Sequence, residues 1–294
     1  MFTQLLVNGL VTGSVYAIAA VGVSLVYGIL RLVNFAYGDM MTFGAFAGYF
    51  ANATLGLPML VSAAFAMIAA ALLSVALDVV LWRPLRLRRA GFMGLFLASI
   101  GVALVLRQAI LLVWGPQPRA FEINQFKVYV LGDVRLSLAQ AATIVSATIA
   151  ILAIGLFLSR SSTGRVMRAM SDDRALAQLS GIDVNRVIVV TWVISGVTAG
   201  LAGVLAGLVQ STFDPNFGFQ LLLPVFAAVV LGGIGSAYGA LAGGLVLGVA
   251  TELSMWEGFA GGVDPVYKPV VAFVVLIIAL MLRPQGLFGK ARTV

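Results

Sequence analysis

The sequence predicts an all-α polytopic membrane protein, and three observations carry that reading. Of 294 residues, 61% are hydrophobic and 10% charged, against roughly 45–50% and about 25% in soluble domains, so too little polar surface exists to cover a water-soluble body. Windows free of any charge recur along the chain, as the cost of about 2.5–3.5 kcal/mol for a charge at the bilayer centre demands. The 18 Lys and Arg gather between those windows, as they do in cytoplasmic loops. The chain has no Cys and no His, which removes the commonest metal, redox and general-base side chains. The net charge of +7 then reads as loop orientation rather than as a nucleic-acid footprint, and neither a metal nor a cofactor is expected.

The first element follows from Met1-Phe2-Thr3-Gln4, which lacks the cationic start of a secretory signal. The apolar run after it exceeds a signal core, so residues 4–30 are a first span. Residues 40–77 and 215–251 are also free of charge. At about 1.5 Å per residue, either would be over 50 Å long as one helix, against a hydrocarbon core of about 30 Å, so each must turn. The turn formers Asn52-Ala53-Thr54-Leu55-Gly56-Leu57-Pro58 and Gly232-Gly233-Ile234-Gly235-Ser236-Ala237-Tyr238-Gly239 mark the places. Residues 136–159 and 187–213 are further clean spans. Residues 92–114, carrying Arg107, and 265–282, carrying Lys268 near one end, complete about 8–9 apolar segments. The two short ones, near 39–51 and 221–234, are expected as re-entrant half-helices.

Orientation follows the cations. Arg83, Arg86, Arg88 and Arg89 form one cluster, Arg160, Arg165, Arg168, Arg174 and Arg186 a second, and Arg283, Lys290 and Arg292 a third. Placing all three inside leaves the N-terminus outside and the C-terminus cytoplasmic. Asn34-Phe35-Ala36-Tyr37-Gly38 after the first span and Pro215-Asn216-Phe217-Gly218-Phe219 after 187–213 suggest an inverted repeat within one transmembrane domain over 1–294. Its halves would be about 4–114 and 187–283, joined by the span near 136–158; chance likeness of two turn strings is the alternative. Gly44/Gly48, Gly196/Gly200, Gly203/Gly207, Gly235/Gly239/Gly243 and Gly244/Gly248 are spaced i, i+4, which bares backbone for close helix packing. Gly233-x-Gly235 has no third Gly at dinucleotide-loop spacing.

Polar groups inside spans are the default functional candidates. Arg107 is the only charge deep within a span; it either pairs with a backbone carbonyl, snorkels outward, or touches a solute path. Asp78, near a cytoplasmic helix end, can reach headgroups or Arg83. Asn8, Thr12, Ser14, Tyr16 and Ser24 in the first span, with Asn34 and Asn216 at the breaks, are the candidate substrate pathway, since unwound backbone at such breaks can bind carboxylate or amide groups. No Ser/His, Cys/His or paired-carboxylate set suggests an enzyme.

In the cytoplasmic loop 159–186, Ser171 is a plausible N-cap, Asp172 and Asp173 suit the positive end of a helix, and Gly181 suits its C′ position, which predicts a helix near 172–180. Ala175, Leu176, Ala177 and Leu179 would there face water. They either fit another protein or lie on the bilayer beside Arg165 and Arg168.

Several strings together resemble a known family. Asn8-Gly9-Leu10…Gly13-Ser14-Val15-Tyr16-Ala17, Val26-Tyr27-Gly28-Ile29…Val33-Asn34-Phe35-Ala36-Tyr37-Gly38, Arg174-Ala175…Ser180-Gly181-Ile182-Asp183, Leu231-Gly232-Gly233-Ile234-Gly235-Ser236 and Arg283-Pro284-Gln285-Gly286-Leu287-Phe288-Gly289 are similar to the permease subunits of branched-chain amino-acid ABC importers, of the shorter permease type. The resemblance implies an importer in a bacterial inner membrane for branched-chain amino acids or a related small polar or amphipathic solute. It also implies a second permease subunit, most often a different chain, two cytoplasmic ATPase subunits that hold ATP and Mg, and an extracytoplasmic substrate-binding protein. Residues 171–181 would be the coupling helix, with Asp172, Asp173, Ala175, Leu176, Ala177, Leu179 and Gly181 against the ATPase. The chain itself has no G-x-x-x-x-G-K-[ST] loop with which to bind ATP. Tyr37 stands where the family often has His, a departure that counts against a titratable role there. The alternative is a stand-alone secondary transporter or channel, against which the scarcity of carboxylates within the spans counts.

Overall fold

The computed structural model describes residues 2–122, 128–131, 134–256, 258, 262–283 and 285–288, leaving aside the side chains of 128–131, 134, 174 and 175. The helices are α1 Phe2–Leu30, α2 Tyr37–Tyr49, α3 Met59–Leu77, α4 Arg83–Leu87, α5 Phe92–Trp114, α6 Leu138–Arg160, α7 Ser162–Asp172, α8 Arg174–Leu179, α9 Val184–Gln210, α10 Phe217–Gly232, α11 Ala237–Leu253 and α12 Lys268–Leu282. Wider π turns at Phe50–Thr54 and Asp78–Trp82 extend α2 and join α3 to α4. Among the described residues six continuous helical stretches, Phe2–Leu30, Met59–Leu87, Phe92–Trp114, Leu138–Arg160, Val184–Gln210 and Pro265–Leu282, are long and apolar enough to cross a membrane, and α2, α10 and α11 are shorter. Both long windows break where the turn formers stand: Pro58 opens α3, and Gly233, at φ +102°, ends α10 in a conformation that side chains with a Cβ resist.

One element departs from the all-helical expectation. Val128–Leu131 and Val134–Ser137 pair antiparallel, Val128 opposite Ser137, so α6 begins at Leu138 rather than at 136. β-branched residues at short spacing favour the hairpin, and Ser137 with Gln140 closes a reciprocal capping box on α6.

Helices α1 and α9 form the centre: 83% of the apolar window of α1 and 72% of that of α9 are buried, against 6% for Pro265–Leu282. A helix enclosed on all sides is apolar on all sides, and in hydrocarbon only close packing, not the hydrophobic effect, can hold such helices together. Glycine supplies the closeness. Gly9 and Gly13 of α1 lie against Val249, Gly248 and Leu245 of α11, and a Cβ on Gly9 would stand 2.7 Å from the Val249 Cα. Gly200 of α9 meets Gly44 of α2 on one side and the Ala66 carbonyl of α3 on the other. Gly235 is the exception to the i, i+4 expectation, since it lies in the α10–α11 turn at φ +88° rather than on a helix face.

The arginine-rich ends share one face, cytoplasmic by the charge rule. There the Arg31 guanidinium, at the end of α1, donates to the Ser171 carbonyl at 3.3 Å. Asp78 pairs with Arg86 at 2.7 Å instead of Arg83, because one turn of α4 brings Arg86 back over the π turn. Beyond α12, the Leu287 and Phe288 N–H groups donate to the Leu231 and Gly232 carbonyls at 2.8 and 3.0 Å, satisfying the orphan end of α10. Lys290 and Arg292 of the third cluster lie outside the described residues. On the opposite face the Arg119 and Phe213 backbones exchange two 2.9 Å bonds, tying the chain after α5 to the loop that feeds α10.

Because Gly248 packs on the Gly13 backbone, which cannot rotate aside, Gly248→Val should destabilise by at least about 1–3 kcal/mol, the usual cost of overpacking. Gly101→Val, in open space, should leave the thermal midpoint of the detergent-solubilised protein near that of the parent. Equal midpoints for the two variants would refute the glycine seam.

Candidate functional site

Two short helices begin against each other inside the protein. The chain leaves α1 and climbs back through residues 31–36, where the Asn34 side-chain oxygen accepts from the Ala36 N–H at 3.1 Å and the Phe35 N–H donates to Ser99 Oγ of α5 at 3.2 Å. It then starts α2. On the other side, the loop held by the Arg119–Phe213 bridge starts α10. Gly38 and Gly218, the second residues of α2 and α10, touch backbone to backbone, and the Gly218 N–H donates to Thr42 Oγ1 at 2.9 Å. From this seam α2 runs toward the Gln210 end of α9, meeting Thr198, Gly200 and Val204 in turn, while α10 runs toward the Leu30 end of α1, where Gly235 lies against Gly28.

The seam carries charge. The residue after each contacting glycine, Asp39 in α2 and Phe219 in α10, reaches Arg107 of α5. Arg107 Nε donates to Asp39 Oδ1 at 3.0 Å and Nη2 to Oδ2 at 3.3 Å, and the guanidinium carbon stands 4.4 Å above the Phe219 ring. Asp39 is fully buried, and the Arg107 side chain is 16% exposed. Arg107 is therefore not the sole deep charge, and its partner is a carboxylate rather than a backbone carbonyl or a headgroup. Sequence reading missed Asp39 because it stands one residue before the charge-free window and looks like part of a loop. The available signal was a lone Arg within a span, which demands a counter-charge somewhere.

Of the candidate pathway residues, none joins this site directly except Asn34, which shapes the approach to α2. Asn8 accepts from Gln4 at 3.1 Å and Gln140 at 3.5 Å, binding α1 to α6. Thr12 donates at 3.2 Å to Glu252, a buried carboxylate that Lys268 pairs at 2.6 Å. Ser14, Tyr16 and Ser24 are buried within the bundle, because α1 is its enclosed centre and presents no open face. Asn216 is exposed at the N-cap of α10, and its N–H donates to Asp214 at 2.8 Å. Tyr37 is sealed, its hydroxyl 3.1 Å from Thr198 Oγ1 in the space Gly22 leaves open, which is a packing role.

The arginine-rich face carries a second feature. Ser161 caps α7 through the Gly164 N–H at 2.8 Å, and Ser171 lies in the last turn of α7 instead of starting the next helix. Asp172 ends α7, and the Asp173 side chain caps α8 through the Leu176 N–H at 3.0 Å. Gly181, at φ +79°, closes α8 with bonds from the Gly181 N–H to the Gln178 carbonyl and from the Ile182 N–H to the Ala177 carbonyl, the paired pattern of a Schellman end. Leu176 is 62% and Leu179 86% exposed, while Ala177 is turned inward; the Ala175 side chain lies outside the described residues. On the same face a cavity of about 800 Å³, lined by Tyr27, Arg31, Arg168, Ser171, Tyr238 and Gln285 among others, separates α7 from the α10–α11 turn.

The family described as branched-chain amino acid transport system / permease component matches residues 5–280. The chain belongs to this family. It is 35% identical over 98% of its length, and 96% of the relative's, to the high-affinity branched-chain amino acid transport system permease protein BraD of Pseudomonas aeruginosa. It is 33% identical over the same shares to the permease protein LivH of Escherichia coli. A probable branched-chain amino acid transport permease protein LivH of Methanocaldococcus jannaschii matches at 27% over 97% of this chain and 92% of its own. The solved structure titled PsaBC from Streptococcus pneumoniae in complex with Fab covers 96% of this chain and 92% of its own at TM-score 0.49 and 15% identity. The protein is thus a transport permease, not an enzyme.

A buried ion pair costs little when removed whole and much when halved. Asp39→Ala is accordingly expected to destabilise the permease by about 3–5 kcal/mol, and the double variant Asp39→Leu/Arg107→Leu by clearly less. Thermal unfolding in micelles measures both, and a double variant at least as damaged as the single would contradict the pairing.

Proposed function

We propose that this chain is the membrane subunit of an ATP-driven importer in a bacterial inner membrane. It works with a second, different permease, two cytoplasmic ATPases that hold ATP and Mg, and an extracytoplasmic binding protein, and its cargo is a branched-chain amino acid or a closely related amphipathic solute. Beyond family membership, the observation that carries this reading is the knob of α8. Two leucines exposed to water on the arginine-rich face, on a helix capped at both ends, are wasteful on a chain that works alone and fit a protein groove. Asp172, Asp173, Leu176, Leu179 and Gly181 would form the coupling segment. Arg31, bonded to Ser171, offers a physical link from it to the buried α1, so force applied at the knob reaches the centre of the bundle. Ala177, turned inward, supports the segment from behind.

Reconstituting the chain with its partner subunits in vesicles tests the whole reading: uptake should require ATP, the ATPases and the binding protein. Uptake by this chain alone would reject it in favour of a secondary transporter. Leu176→Asp/Leu179→Asp, two charges placed on an apolar contact, should weaken ATPase capture by about tenfold or more, since a buried unpaired charge costs several kcal/mol. Thermal stability of the isolated permease should hardly change, because both side chains are exposed. Unaltered ATPase co-purification would exclude docking through these residues.

A further inference from the structure

Resting on the importer reading above, we propose that Arg107 is the intramembrane station for the carboxylate of the transported amino acid, with Phe219 and Leu223 forming the apolar floor beside it. The guanidinium carries five N–H donors, and Asp39 takes two of them. Among the described residues none accepts from Nη1, and the side chain keeps an exposed edge. That edge lies about 10 Å inside the Trp114 end of α5 at 1.5 Å per residue, and helix side chains lean toward the N-terminus, which carries the head deeper still. Donors at such depth cannot face hydrocarbon, where each unsatisfied group costs several kcal/mol. The surface at Arg107 therefore meets water, a solute or protein.

The chemistry favours a carboxylate. A guanidinium fork binds one through directional, charge-assisted bonds, and the N-terminal ends of α2 and α10, which converge on the same spot, add positive potential. Asp39 neutralises the pair, so a passing carboxylate is held by geometry without net charge and can leave again, as a transport path requires. Phe219, 44% exposed, and Leu223, 43% exposed, are one helical turn apart on α10 and offer an apolar surface to an aliphatic side chain.

Two measurements on the complete transporter in vesicles decide the proposal. In the double variant Asp39→Asn/Arg107→Gln, which keeps an amide pair in place of the ions, uptake should fall at least about tenfold, the scale of losing a charge-assisted contact. The double variant should still co-purify with its partner subunits, within about twofold of the parent, so that the loss reads as lost transport rather than lost assembly. Because the chain contains no Cys, Phe219→Cys places a single thiol beside Arg107. It should react with a charged methanethiosulfonate from water, and more slowly while substrate is being delivered. Uptake by the double variant within about twofold of the parent would overturn the station while leaving the importer standing; a parent complex that imports nothing would instead reject the importer. A thiol unreactive in every state, or reactive only in the lone chain and covered in the complex, would also overturn it, the first pointing to lipid and the second to a face of the partner permease. If the double variant is not recovered folded, the thiol result alone decides.

Discussion

Everything in this protein depends on bare backbones approaching inside the bilayer. Hydrocarbon neither drives apolar helices together nor offers a hydrogen bond, so cohesion has to come from contact. Glycine makes that contact possible along α1–α11 and α9–α2, and once more where Gly38 meets Gly218. A side chain at either of those two positions would push the half-helices apart. The Gly218 N–H at the start of α10 would then lose Thr42, and Arg107 would lose the corner in which it meets both Asp39 and Phe219.

The same packing explains how a charge pair survives at that depth. Asp39 lies in the first turn of α2, where the helix dipole favours a carboxylate, and the bidentate hold of Arg107 supplies the counter-charge. Enclosure by α2, α5 and α10 keeps Asp39 from water. At the Leu30 end of α1, Arg31 connects the bundle to α7, which leads into α8 and its exposed leucines.

Much of the fold was legible in the residues. Charge-free windows located the helices, because ionised groups are expelled from hydrocarbon, and clustered Asn, Gly and Pro marked the breaks, because they favour turns. Gly181 announced the end of α8. The start of that helix was less readable: Ser171, Asp172 and Asp173 are all good caps, and only the path of α7 makes Asp173 the one that caps. The hairpin before α6 was missed because Val134 and Leu136, set directly before the apolar run, resemble the beginning of a span. The site itself was half legible. A lone Arg107 demanded a partner, but Asp39 is 68 residues away in sequence, and nothing local connects them.

Composition and charge alone determined that the chain crosses a membrane repeatedly and where along it the spans and the arginine-rich connections fall. These are one-body properties, set by the transfer cost of each residue between water and lipid. Tertiary structure alone decided which polar side chains are enclosed and which are offered outward: it hid Ser14 and Ser24 in the bundle, and it joined Thr12 to Glu252, Asp78 to Arg86 and Asp39 to Arg107. Pairing is a two-body property. It depends on which helix faces are neighbours, and in this bundle glycines far apart along the chain set that arrangement.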